Sequence, residues 1–157
     1  MKLAFLLVAF VIAAGCVSTS EQMKDEGAGS SVTGYSGKIL AGSSAPLIDF
    51  NKADYDKALQ SGNVVFLYFY ATWCPICRAE LPHLYGAFNE LNTDKIIGFR
   101  VNFNDGDTDA DERALAQQFQ VPYQHTKVFV KDGKSIGKFP DSWDKVRYLS
   151  EINKAIG

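Results

Sequence analysis

The chain has no excess of basic charge. Its 157 residues hold 16 Lys and Arg against 18 Asp and Glu, a formal net charge of −2, and no basic cluster stands anywhere along it. Nothing in that balance suits a nucleic-acid partner. Long apolar runs are missing too. Leu3 to Ala14 is unbroken, but a membrane-spanning helix needs roughly 20 apolar residues. Cysteine is scarce, with three in all and one Cys-x-x-Cys pair. Structural zinc takes four ligands, commonly two such pairs, so a zinc site is not expected. The acidic stretch Asn104 to Asp111 lacks what a calcium loop requires. Counted from Asp105, the sixth position is Ala110 and the twelfth Ala116, where glycine and glutamate are needed. It reads as an acidic helix start that complements the helix dipole. No internal repeat is present, and the length suits one domain plus extensions.

What the chain does have is an apolar fraction of 46%, enough for a packed core. Its most informative stretch is Trp73-Cys74-Pro75-Ile76-Cys77, entered from the β-prone run Val64 to Tyr70. A strand feeding into this pair puts Cys74 at a helix N-terminus, where free backbone N–H groups and the dipole favour a thiolate. A thiolate attacks disulfides, so Cys74 is the expected nucleophile and Cys77, one turn deeper and less exposed, the resolving thiol. Trp73 would shield the pair, or be a packed aromatic.

The N-terminus is of another kind. Lys2, the apolar run and the small residues Ala13-Ala14-Gly15 have the form of a secretory signal, residues 1–15. Cys16 directly after them resembles the lipidated cysteine of lipoprotein signals, although leucine is usual where Ala13 stands. Lipidation would remove the odd cysteine and leave Cys74 and Cys77 as a closed pair; an ordinary cleaved signal is the alternative. Either form places the mature domain outside the cytoplasm. Residues 16–45, rich in Ser, Thr and Gly, read as a flexible linker.

A domain is expected over 46–157. Leu47 to Phe50 reads as a strand, and Asn51 as the cap of a helix to about Gln60. Val64 to Tyr70 suits a strand buried on both faces. Pro75 opens the next helix, which passes a kink at Pro82 and ends near Leu91. Ile96 to Phe103 is a further strand, and Asp107 or Asp109 caps a helix through Phe119. Lys127 to Val130 and Ser135 to Phe139 form a hairpin about Asp132-Gly133. A last helix runs from near Asp141 to Ile156. The order β-α-β-α-β-α-β-β-α predicts an α/β/α three-layer sandwich with a central mixed sheet.

This succession, with Trp-Cys-x-x-Cys after the first central strand, resembles the thioredoxin superfamily. Cys77-Arg78-Ala79-Glu80-Leu81-Pro82 is similar to its membrane-anchored extracytoplasmic branch, which includes the thioredoxins of cytochrome c maturation. The resemblance implies a monomeric thiol-disulfide oxidoreductase without a cofactor. Its partners would be protein thiols and disulfides and an upstream electron donor or acceptor. That branch carries a glutamate at the position of Glu80, which could accept a proton from Cys77; a solvated helix glutamate is the other reading. Cytoplasmic thioredoxins place a buried aspartate six residues ahead of the first cysteine, where this chain has Tyr68.

The family's cis-proline is also missing. Aligning the Lys131-Asp132-Gly133 turn puts His125 on that spot, before Thr126, unless Pro122 fills it instead. A cis bond before a non-proline residue costs about 3 kcal/mol, so a trans peptide is expected before His125. The groove formed by Trp73, Pro75, Gln124 and His125, where backbone near Gln124 would pair with an extended peptide, is then reshaped. An imidazole facing two thiolates could act as a cation beside Cys74. Alternatively, as a neutral ligand, it could complete a Cys74, Cys77 and His125 copper site. The latter resembles copper chaperones of cytochrome oxidase assembly, whose cysteines are spaced one residue wider. His83 reads as a surface residue.

Overall fold

A computed structural model describes residues 34–157; the expected signal segment 1–15, Cys16 and the expected linker up to residue 33 lie outside the described residues. Ten elements follow in order: β1 (Ile39–Ala41), β2 (Leu47–Asp49), α1 (Lys52–Gln60), β3 (Val64–Tyr70), α2 (Pro75–Glu90), β4 (Ile96–Asn102), α3 (Ala110–Gln118), β5 (Thr126–Lys131), β6 (Lys134–Phe139) and α4 (Lys145–Ile156). Among the described residues no helix is long and apolar enough to cross a membrane.

The helix starts follow their caps. Asn51 Oδ1 accepts the Asp54 N–H at 2.8 Å. Asp109 and Glu112 close a reciprocal capping box at the start of α3, so Asp109 rather than Asp107 is the cap. Pro75 occupies the first turn of α2, where its missing N–H leaves nothing unpaired, and the helix runs on through Pro82 to Glu90. The last helix starts later than expected. Asp144, not Asp141, caps it by accepting the Arg147 N–H at 2.8 Å. The segment before it turns Trp143 into the core instead.

The sheet is mixed, in the order β1-β2-β4-β3-β5-β6. β2, β4 and β3 run parallel, while β1, β5 and β6 pair antiparallel with their neighbours. Every residue of β3 is buried, so alternate side chains feed two cores. Val65, Leu67 and Phe69 pack with residues of α1 and α3 on one face. Phe66, Tyr68 and Tyr70 pack with α2 and α4 on the other, together with both cysteines. Gly98 of β4 allows α2 to approach: a Cβ there would lie 2.5 Å from the Phe88 ring.

Ordered structure begins before residue 46, where a flexible linker is expected. Ile39–Ala41, inside the expected linker, forms an edge strand paired with β2. The segment before it is fastened by Asp54, whose carboxylate accepts the N–H groups of Ser36 at 3.0 Å and Gly37 at 2.7 Å. Asn89 Oδ1 accepts the Gly42 N–H at 2.8 Å on the other side. This stretch holds few large apolar side chains, so its composition matched a tether. Its order comes from hydrogen bonds to distant partners, which composition does not display.

Candidate active site

β3 delivers the chain to the site through Ala71 and Thr72, and α2 begins at the cysteine pair. Cys74 is the N-cap of α2, and its Sγ accepts the N–H of Cys77 at 3.1 Å. Negative charge on that sulfur therefore meets an amide donor at the positive end of a 16-residue helix. The approach loop is braced by Asp105, which follows β4. Its carboxylate accepts the Thr72 N–H at 3.0 Å and bonds to Thr108 and Asp107. Burial pushes the Asp105 carboxyl up, but these donors outweigh it and hold it below the ordinary range. The acidic stretch thus serves as a brace. The Trp73 indole N–H donates to the Asn104 carbonyl at 3.1 Å, while half of Trp73 stays exposed.

Neither sulfur is open. Cys74 is 1% exposed, so the contrast in exposure expected between it and Cys77 is absent. Both thiols are free rather than disulfide-bonded. Burial and the bond to Cys74 push the Cys77 thiol up to about 11, and its bond to the Tyr68 hydroxyl opposes this. Trp73, Ile76 and Tyr123 stand out from the surface as large exposed apolar side chains.

His125 faces the pair, as the alignment predicts, while Pro122 is exposed. The imidazole and both sulfurs offer ligand atoms within 4.8 Å of one another. No cis peptide bond occurs among the described residues, in agreement with a trans bond before His125. The His125 backbone adopts φ 54, in the left-handed region. Its N–H donates to the Phe69 carbonyl at 2.7 Å, tying the turn to the end of β3. Burial and the nearby Lys127 hold the imidazole below its ordinary range, against Glu80 and the Pro140 carbonyl. That favours the neutral ring over the cation. Gln124 is half-buried beside it, Pro75 is exposed and His83 is exposed.

Glu80 is not a solvated helix residue. It is 3% exposed, and four donors converge on it. The Trp143 N–H donates to Oε1 at 2.8 Å, the Tyr148 hydroxyl to Oε1 at 2.8 Å, and the Tyr68 hydroxyl to Oε2 at 3.0 Å. The fourth is Lys127, wholly buried and ion-paired to Oε1. Only an ionised carboxylate accommodates four donors. Lys127 also donates to the Asp141 carbonyl at 2.6 Å and lies over the rings of Tyr68, Trp143 and Tyr148. Burial pushes the Lys127 ammonium down, and Glu80 opposes this.

Tyr68 connects the two halves. Its hydroxyl donates to Glu80 Oε2 at 3.0 Å, and the phenol lies close enough to the Cys77 sulfur for each to perturb the other. Burial and the Glu80 charge push this phenol far up, so it stays protonated and can act as a donor. Sequence reasoning marked Tyr68 only by its position and missed Lys127, Trp143 and Tyr148. Lys127 had a signal: a lone charge on the inward-facing alternation of an apolar strand, two residues from Phe129. Trp143 and Tyr148 had none, since their role depends on where α4 docks.

Fold, dithiol and comparisons agree on the class. The family model for Thioredoxin matches residues 46–154. The chain belongs to the thioredoxin family. Thioredoxin H4 of Arabidopsis thaliana is 34% identical over 53% of this chain and 64% of its own length. The thiol:disulfide interchange protein DsbE of Vibrio cholerae is 35% identical over 66% of this chain and 56% of its own length. The matches to these two relatives thus span less than two thirds of each. Among solved structures, Trxlp from Edwardsiella tarda superposes with a TM-score of 0.57 at 23% identity, covering 68% of this chain and 97% of that one. A thioredoxin from Halobacterium salinarum gives 0.54 at 22%, covering 71% and 89%. At that identity the structures speak to the fold alone.

Proposed function

We propose that this chain is a thiol-disulfide oxidoreductase acting on protein disulfides outside the cytoplasm, held at the membrane by a lipid on Cys16. The observation that carries the chemistry is Cys74 at the N-cap of α2, its sulfur accepting the Cys77 N–H at 3.1 Å with the second thiol alongside. The Cys74 thiolate attacks one sulfur of a substrate disulfide. The substrate S–S bond breaks, a mixed disulfide forms, and the other substrate sulfur leaves as a thiolate. Cys77 then attacks Cys74, the mixed disulfide breaks, and a Cys74–Cys77 disulfide forms as the second substrate thiol departs. The Cys77 proton ends on that departing substrate sulfur, which leaves as the thiol, while the Tyr68 phenol lies beside Cys77. Trp73, Ile76 and Tyr123 supply an apolar rim for a partially unfolded segment, consistent with a protein substrate.

Insulin reduction by a coupled thiol donor tests the activity: Cys74→Ser abolishes it, and Cys77→Ser accumulates the mixed disulfide. Turnover by Cys74→Ser would overturn the assignment. A midpoint potential near about −270 mV would make the pair a reductant, and one near about −120 mV an oxidant.

One observation supports the location and another the thioredoxin-like branch. The first is the segment Lys2 to Cys16 with its lipoprotein form. The other is the similarity to a thiol:disulfide interchange protein. The full chain is expected in the membrane fraction and Cys16→Ser in the soluble fraction after signal cleavage. Equal membrane partition of the two would remove the lipid anchor.

A further inference from the structure

Three soft donor groups meet where disulfide exchange requires only two. The sulfurs of Cys74 and Cys77 and a ring nitrogen of His125 lie within 4.8 Å of one another, a spacing one metal ion can bridge. Which nitrogen faces the sulfurs follows from its neighbours. Pro140 has no N–H, so its backbone bond to the imidazole can only be a carbonyl accepting a ring N–H. Nδ1 is buried and has no hydrogen-bond partner among the described residues. A neutral imidazole carries a single N–H. Nδ1, buried and unpartnered, is the nitrogen left free to ligate a metal. A carbonyl bond on the far nitrogen is the usual means of orienting a ligating histidine. The backbone is committed as well: His125 is held at φ 54 by its N–H bond to Phe69, a conformation uncommon outside glycine.

The donor set selects the metal. Calcium and magnesium take oxygen ligands, which this cluster lacks. Zinc takes four ligands in structural sites, and a two-cysteine, one-histidine set holds it only with a water or substrate in the fourth position. No fourth Cys, His, Asp or Glu joins the group among the described residues, and the adjacent Glu80 is already engaged by four donors. Thiolate-rich sites favour Cu(I), which accepts low coordination numbers, and an imidazole suits copper as the third donor. We propose that Cys74, Cys77 and His125 Nδ1 form a three-coordinate site for Cu(I). Because the ion takes both sulfurs, metal loading and disulfide exchange exclude one another, and a Cys74–Cys77 disulfide abolishes the site.

The test is an anaerobic Cu(I) titration of the reduced full chain carrying Cys16→Ser, against a chromophoric Cu(I) chelator. One equivalent per chain is expected, with copper-edge X-ray absorption showing two sulfurs and one nitrogen. His125→Asn keeps a residue that tolerates the left-handed backbone. It should weaken binding by more than about tenfold, since even outer-shell partners are worth that much. Unchanged affinity in folded His125→Asn, a copper shell of sulfur alone, or no tight binding would each overturn the site. If His125→Asn does not fold, the absorption spectrum of the parent decides. Insulin reduction by the same copper-free parent reports separately on disulfide exchange, so failure of one proposal is visible apart from the other.

Discussion

Replacing Lys127 by methionine leaves the volume of the side chain nearly unchanged and removes its charge from beneath the dithiol. Glu80 then remains buried as a carboxylate with three neutral donors, from Trp143, Tyr148 and Tyr68. Breaking a buried ion pair from one side costs about 3–5 kcal/mol, and losing the bond to the Asp141 carbonyl adds about 1 kcal/mol. Against a total stability of about 5–15 kcal/mol for a domain, Lys127→Met alone brings the fold close to its limit. Glu80→Gln alone strands the ammonium and is expected to cost a similar amount. The double variant should behave differently. A glutamine amide oxygen can accept from Trp143 and Tyr148, and its NH2 can donate to the Tyr68 oxygen, so no charge and few polar groups are left unpaired. We expect the double variant to lose less than about 2 kcal/mol, well short of the sum of the single losses. Urea unfolding followed by circular dichroism, with the denaturant slope constant across the four proteins, measures the cycle. Additive losses, or a Lys127→Met variant within about 1 kcal/mol of the parent, would show that the pair is not coupled as its geometry implies.

Three further outcomes follow from the same structure. Tyr68→Phe removes the hydroxyl between Cys77 and Glu80, and we expect the mixed disulfide with a small chromogenic substrate to resolve ten- to a hundredfold more slowly, at or below the usual range for acid–base assistance; unchanged resolution would exclude the phenol from this step. Burial pushes the Asp54 carboxyl up, but bonds from Asn51, Ser36 and Gly37 outweigh it and hold it below its ordinary range. Its stabilising contribution is therefore complete above the unfolded value of about 3.9 and lost as pH falls through the lower folded value. The melting temperature of the parent should drop more steeply below pH 4 than that of Asp54→Asn, and Asp54→Ala should raise hydrogen exchange at Ile39–Ala41; parallel curves or unaltered exchange would refute this fastening. Gly98→Ala forces a methyl group to 2.5 Å from the Phe88 ring. Overpacking of this kind costs about 1–3 kcal/mol, readable as a lower denaturation midpoint.

Much of this molecule was determined by neighbours along the chain. The alternation of strands and helices, the Asn51 and Asp109 caps, Pro75 in the first turn of α2 and the cysteine pair at its start are all local patterns. Short-range hydrogen bonds and side-chain period enforce them in any fold that accepts them. Even the trans peptide at His125 followed from the cost of a cis bond at a residue other than proline. Tertiary structure decided the rest. The Glu80–Lys127 pair joins residues 47 positions apart, and it exists because β5 lies antiparallel to β3 with Lys127 opposite Tyr68. The same register puts the Tyr68 phenol between the carboxylate and Cys77. Strand β1 exists because Asp54 and β2 hold a segment whose own composition reads as linker. Whether a lysine in a strand is solvated or sealed beneath a dithiol depends on what packs over it. Packing is a property of chain segments brought together in space, and their separation in sequence carries little trace of it.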